Sequence, residues 1–90
     1  MIMLVPYIWI EGNRYRRLDW SLEMPIAEHA IKREAFKRTQ QRLLIETVKK
    51  EDGSFVRDYK GDIILIDKNS HRLWGFIKET PCQTLKQLTI

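Results

Sequence analysis

Cationic side chains alternate with aromatic ones in two stretches of the sequence, and this mixture could bind a polyanion that also carries flat rings. One stretch covers residues 9–20 and the other surrounds Phe36. Lysine and arginine neutralise phosphates in almost any geometry, while aromatic rings and guanidinium planes accept stacked bases. The pattern therefore predicts contact with nucleic acid. The side chains predicted to make this contact are Arg14, Tyr15, Arg16, Arg17, Lys32, Arg33, Phe36, Lys37 and Arg42.

The predicted roles within this set differ. Lys32, Arg33 and Lys37 would contact phosphates, and the arginines would extend the same surface. Phe36 or Tyr15 would stack on a base. Because the sequence contains no known DNA-binding motif, it predicts no reading of base sequence and does not distinguish RNA from DNA.

The distribution of charge supports this interpretation. The chain carries 16 basic and 12 acidic residues, a formal net charge of +4. Residues 14–42 hold eight of the basic and four of the acidic residues, so the remaining residues hold eight of each and are neutral. The whole positive excess lies in one third of the chain, which predicts an electropositive surface patch.

Metal and nucleophile chemistry are poorly supported by residue spacing. His29 and His71 are far apart and belong to no metal-ligand pattern, so we expect His29 on a helix surface and His71 at a hairpin tip. Cys82 follows Pro81 near the end of the chain, with no motif that would supply a base, and is expected to be a passive thiol. We predict no metal and no cofactor.

Enzymatic alternatives have weak signals. Aspartates at 58, 62 and 67 lie beside predicted turns, where aspartate is favoured for backbone hydrogen bonding rather than for paired acid–base catalysis. The isolated glycines form no phosphate-binding loop. A small ribonuclease could operate with Tyr15, Arg16, Lys37 and Glu46, so this activity stays open beside the preferred non-catalytic role.

A second class of function is a protein-binding module, such as an accessory subunit, an inhibitor or an assembly factor of a larger complex. Three tryptophans and an apolar C-terminal segment in a small domain suit a surface that is covered by a partner. Trp9, Trp20 and Trp74 could equally belong to the core. An exposed apolar patch, together with a cationic face interrupted by Glu28 and Glu34, would favour this alternative.

The elements that position these residues are predicted from periodicity. Ninety residues allow a single domain. Residues 3–10 are apolar on both faces, as in a strand covered on both sides. Gly12 and Asn13 favour a turn, and residues 14–20 would return as an antiparallel strand with Leu18 and Trp20 reaching the core.

One helix is predicted over residues 26–40, starting near Pro25. Ala27, Ala30, Ile31 and Ala35 form a narrow stripe of small residues suited to close packing on a sheet. The opposite face, with its lysines and Phe36, would then point to solvent.

Strands are predicted in series over 43–49, 55–58, 62–67 and 72–78, with Asp52-Gly53 as a hairpin turn. The predicted fold class is α+β: an N-terminal hairpin, one helix, then an antiparallel meander in a single sheet, either open or curled into a small barrel. Residues 81–90 are expected to be a loosely docked tail.

The compartment is inferred from cysteine usage and from the N-terminal segment. One cysteine allows no intramolecular disulfide, which indicates a reducing, cytoplasmic location. The apolar run at residues 1–10 has no basic leader and is too short to cross a bilayer as a helix, so we expect no membrane association. The oligomeric state is not predicted.

Overall fold

The computed structural model describes residues 1–81, which form an antiparallel sheet with a helix packed on one of its faces. The elements are β1 (Ile2–Glu11), β2 (Arg14–Arg17), α1 (Met24–Thr39), β3 (Ile45–Thr47), β4 (Ile63–Asp67) and β5 (Leu73–Pro81). The five strands lie in the order β2-β1-β5-β4-β3. The predicted α+β class, with its N-terminal hairpin, helix and later strands, is confirmed. The sheet is open, since β2 and β3 are its edges, so the barrel alternative is wrong.

The longest strand pairing joins the two ends of the described chain. β1 pairs with β5 from Ile2 opposite Pro81 to Ile8 opposite Gly75. Leu4 and Ile8 pack into the core that α1 covers, whereas Met3 and Val5 alternate to the other face and are also buried. Burial on both faces explains why the sequence of β1 shows no alternation.

Small residues bring α1 close to the sheet. Ala27, Ile31 and Ala35 are fully buried against strand residues such as Ile63 and Leu65, which confirms three of the four residues of the predicted packing stripe. The fourth, Ala30, is half-buried. The helix begins at Met24 with Pro25 in its first turn, where a missing N–H costs no hydrogen bond. It ends at Thr39.

The predicted strand over residues 55–58 is wrong. This segment makes only isolated bridges, from Phe55 to Lys49 and from Arg57 to Ile63. Tight turns at Gly53 and Gly61, both with positive φ, enclose it on either side. The few residues between the turns cannot build a ladder with either neighbour, although the predicted Asp52-Gly53 turn is present.

The prediction that Trp20 reaches the core is wrong. β2 ends at Arg17, three residues earlier than expected, and backbone pairing to β1 resumes only through Ser21 opposite Leu4. Trp20 lies in between and is 45% exposed. Leu18 does pack against the core, Trp74 is buried and Trp9 is half-buried.

The predicted tail falls largely outside the described residues. Pro81 is the last residue of β5, and Cys82 and the apolar residues that follow it lie beyond the described part of the chain. Within residues 1–81, no helix combines the length and apolar content needed to span a bilayer.

Candidate nucleic-acid interface

The solvent-facing side of α1 borders a surface cavity of about 480 Å³, called the helix cavity below. Five of the predicted binding residues contribute to its wall, together with a histidine that the prediction had placed only on the helix surface. These side chains are His29, Lys32, Arg33, Phe36, Lys37 and Arg42. The structure therefore brings the predicted phosphate contacts and the predicted stacking ring together.

Helical spacing explains most of this assembly. Residues three or four positions apart lie on one helix face, so residues 29, 32, 33, 36 and 37 share the face opposite the buried alanines. The turn at the end of α1 explains how Arg42 joins these residues. Gln40 adopts the left-handed conformation, with φ of 59°, and its N–H donates to the carbonyl of Phe36 at 2.8 Å. This turn folds the chain back so that Arg42 borders the same cavity.

The helix cavity is strongly electropositive. Its wall has four lysine or arginine side chains and, among the described residues, no carboxylate. Lys32, Arg33 and Arg42 form no ion pair with any residue in the range 1–81. Like charges held this close together create a local potential that attracts an anion. Phe36 is 44% exposed in their midst, an apolar surface that a stacked base would cover.

Glu34 marks one boundary of this cationic surface. One of its carboxylate oxygens accepts from Arg16 at 2.8 Å, and the other lies 3.5 Å from the ammonium of Lys37. Arg16 is thereby held against α1, but its charge is compensated. The cationic face is interrupted at Glu34 but not at Glu28, which instead contacts Thr47 at 3.4 Å.

The arginine-rich strand β2 is divided between the two faces of the sheet. Arg16 points toward α1, whereas the ring of Tyr15 packs edge-on against Phe76 on the opposite face, with centroids 4.8 Å apart. Tyr15 therefore does not lie beside Phe36. Arg14 is paired with Glu11 at 3.6 Å, and Arg17 makes no ion pair within residues 1–81.

Two arginines have structural contacts that sequence reasoning missed. The guanidinium of Arg38 donates to the backbone carbonyls of Trp9 and Ile10, which ties the end of α1 to the end of β1. Arg72 lies 4.7 Å from the ring centroids of both Trp9 and Trp74. Local spacing does not indicate the contacts of Arg38 or the contact between Arg72 and Trp9, since these join residues that are distant along the chain. Arg72 and Trp74 are two residues apart, so only this pair could be expected from strand alternation.

The structure does not gather the four residues of the ribonuclease alternative around one cavity. Lys37 borders the helix cavity, Tyr15 borders a cavity on the opposite sheet face, and Glu46 borders a third one beside Glu28. No group of three potential metal ligands occurs among the residues that the structure describes. His71 sits at a hairpin tip with φ of 59°, as predicted.

The aspartates beside the turns have contrasting environments. Asp67 accepts from the hydroxyl of Ser70 at 2.8 Å and lies 3.4 Å from two backbone N–H groups, and these hydrogen bonds lower its pKa. Asp62 is almost fully buried, and desolvation raises its pKa, opposed in part by Lys78. Asp67 holds a turn together, whereas Asp62 has no such role.

No protein-family model, curated protein or solved structure matches this chain. The function of the site is therefore inferred from its own geometry and charge.

Proposed function

We propose that the chain binds single-stranded nucleic acid, without catalysis, through the helix cavity. Lys32, Arg33, Lys37 and Arg42 neutralise phosphates, and Phe36 stacks on a base. The observation that supports this proposal is the convergence of four cations and one half-exposed ring on a cavity of about 480 Å³ whose described wall contains no carboxylate.

The position of Phe36 favours a single strand over a duplex. An aromatic ring inside a cationic depression can stack only on a base that has left its own stack, and single strands offer such bases at low cost. Phosphates on either side of that base would then fall within reach of the surrounding lysines and arginines. Stacking and phosphate contacts are shared by RNA and DNA, so both are expected to bind.

Fluorescence anisotropy with labelled 12-nucleotide DNA and RNA of mixed sequence tests the proposal. The logarithm of the affinity should fall linearly with the logarithm of salt concentration, by about 0.7 for each phosphate neutralised. A triple variant, Lys32→Gln, Arg33→Gln and Lys37→Gln, should bind at least about tenfold more weakly and lose about 2 from this slope. Its melting temperature should stay nearly unchanged, because exposed charges contribute little to stability.

The matched control replaces three exposed lysines that do not line the helix cavity, Lys49→Gln, Lys50→Gln and Lys68→Gln. It makes the same change in net charge, so it should retain most of the affinity. Equal losses in the two triple variants would show that only net charge matters. Absence of binding at 50 mM salt would exclude the proposal.

The protein-binding alternative is favoured by a separate observation. Trp20, Leu22 and Ile26 are 45%, 46% and 54% exposed, just before and within the first turn of α1. Co-purification at low salt separates the two functions. Absorbance at 260 nm in the purified sample supports nucleic-acid binding, whereas one stoichiometric protein without nucleic acid supports a module of a larger complex.

A further inference from the structure

A second cavity, of about 450 Å³, lies on the sheet face away from α1 and is called the sheet cavity below. Ile64 and Phe76 are paired residues of β4 and β5 that border it. Their neighbours Ile63 and Ile77 belong to the core on the helix side, so alternation places Ile64 and Phe76 on the opposite face. The two cavities are therefore separated by the sheet.

Aromatic rings form much of the sheet cavity. Tyr15 packs edge-on against Phe76, and Tyr7 stacks on the same Phe76 ring with centroids 4.9 Å apart. Tyr59 stands at the cavity with 93% of its surface exposed. The ammonium of Lys60 already lies 5.6 Å from the centroid of the Tyr59 ring, which shows that this ring is accessible to a cation.

A buried carboxylate without a hydrogen-bond donor borders the same cavity. Asp62 is 7% exposed, and its Oδ2 is buried without any hydrogen bond among the described residues. The nearest cation is the ammonium of Lys78, at 3.9 Å, which is too far for a hydrogen bond. A buried acceptor left without a donor costs free energy.

The loop before β4 holds Asp62 in this position. The carboxylate of Asp58 accepts from the backbone N–H groups of Lys60 and Asp62, at 2.9 and 3.0 Å. Both of these hydrogen bonds are accepted by Oδ1 of Asp58, whereas no side-chain hydrogen bond holds the carboxylate of Asp62 among the described residues, and its Oδ2 is buried. Replacing Asp62 by an apolar residue would fill the same space without the cost of burying a charge, so folding alone does not explain the carboxylate.

We propose that the sheet cavity binds an organic cation of the guanidinium class. The N–H groups of the ligand donate to the carboxylate of Asp62, and its plane lies against the exposed ring of Tyr59. A guanidinium supplies both features that the cavity lacks, a fork of donors and a flat cationic face. Lys60 and Lys78, the cations nearest to these groups, are flexible and exposed and can move aside. This site is independent of nucleic-acid binding, since it lies on the other side of the sheet and has carboxylates in its wall.

The test is an NMR titration with N-acetyl-arginine amide, monitoring the ring resonances of Tyr15, Tyr59 and Phe76. The neutral analogue N-acetyl-citrulline amide has nearly the same shape and serves as the ligand control. Saturable shifts with the arginine derivative, and none with the citrulline derivative, support the proposal. Equal shifts with both ligands, or no shift with either at 10 mM, about the weakest affinity of a specific small-ligand site, would overturn it.

Two variants locate the binding. Asp62→Asn keeps the side-chain volume and should weaken binding by about 10- to 100-fold, the loss expected for a charge-assisted hydrogen bond. Glu51→Gln makes the same charge change at an exposed turn outside the cavity and should bind as the unaltered protein does. If Asp62→Asn binds equally well, the carboxylate is not the ligand contact and the proposal fails.

Tyr59→Leu provides an independent variant, because a side chain that is 93% exposed contributes little to folding. Removing its ring should weaken binding about two- to fivefold, the range of an exposed cation–π contact. The affinity of Tyr59→Leu for the arginine derivative tests the proposed site even if Asp62→Asn fails to fold. An unchanged affinity would show that the ring takes no part and would contradict the proposed geometry.

Discussion

The helix cavity and the sheet cavity have similar volumes, about 480 and 450 Å³, and opposite chemistry. The helix cavity surrounds one ring with cations, and the sheet cavity surrounds carboxylates with several rings. A single sheet of a small domain separates them. One face of the sheet therefore carries a cavity with four cationic side chains in its described wall, and the other carries a cavity lined by two carboxylates and one lysine.

The two cavities also differ in how the sequence builds them. Residues 29–37 of α1 supply most of the helix cavity, because helical spacing places neighbours along the chain on one face. The sheet cavity takes residues from three distant parts of the chain, 13–15, 58–64 and 73–76. Strand pairing alone brings them together. A site on one helix can thus be inferred from spacing, whereas a site across a sheet requires the topology.

The largest expected effect is a loss of stability when the sheet between the two cavities is distorted at Gly75. A Cβ added at Gly75 would lie 2.2 Å from the backbone oxygen of Tyr7 and 3.3 Å from Ile31 of α1. Gly75→Ala should therefore cost about 3 kcal/mol or more, since the clashing atom is backbone and cannot rotate away. Urea unfolding measures this loss, and the two proposed binding affinities should weaken together, because the shared sheet shifts.

The control for this variant is Gly53→Ala. Gly53 has open space around its Cα and a φ of +88°, so only backbone strain of about 1 kcal/mol is expected. Similar losses of unfolding free energy for the two variants would show that β1 and β5 can separate to accept a methyl group.

The next effect separates the cavities by function. Phe36→Ala should weaken binding of the 12-nucleotide strands by about 5- to 100-fold, the contribution of one stacked base. Binding of the arginine derivative and the unfolding free energy should change little, because Phe36 is half-exposed on the far side of the sheet. Leu44→Ala removes another exposed apolar side chain and should leave both affinities intact. A loss of both activities in Phe36→Ala would mean that the two cavities are coupled.

The smallest effect is a pH dependence that distinguishes two aspartates flanking β4. The raised pKa of Asp62 means that its stabilising contribution is present below the unfolded value near 3.8 and is lost as pH rises through the folded pKa. Asp62→Asn should therefore gain stability relative to the unaltered protein as pH increases from 3 to 7. Asp67 has a lowered pKa, so its contribution is present above 3.8 and is lost as pH falls through the folded pKa.

Asp67→Asn should accordingly show its largest loss of stability at neutral pH and a smaller loss in acid. Urea unfolding at several pH values measures both differences. Parallel pH profiles for the two variants would contradict the contrast between a satisfied and an unsatisfied carboxylate.

The exposure of the basic face of α1 could be predicted from the sequence because the information for it is local. The alanine stripe buries one side of α1, and this alone directs Lys32, Arg33 and Phe36 to solvent. The clustering of charge predicts Arg42 as part of the cationic surface, and the left-handed turn at Gln40, which no residue type indicates, brings it to the helix cavity. Periodicity and turn residues also predict the order of the N-terminal hairpin, the helix and the later strands.

The failures concern contacts between distant residues. Aromatic residues beside cations predict Tyr15 or Phe36 as the stacking residue of one cationic surface, but the alternation of β2 places Tyr15 on the other face of the sheet. The prediction that Trp20 reaches the core requires β2 to continue to residue 20, but the strand ends at Arg17. The role of Asp62 depends on how deeply strand pairing buries it, and turn propensity gives no information on this.

The two edge strands of the open sheet have a consequence for self-association. β2 is four residues long and carries three arginines, and β3 has only three residues. A second copy approaching β2 would find only four residues to pair with and would bring together two copies of Arg17, which has no ion pair within residues 1–81. β3 offers too few unpaired N–H and C=O groups to template a ladder. The shortness of both edge strands, together with the arginines of β2, therefore disfavours edge-to-edge growth of the sheet into fibrils.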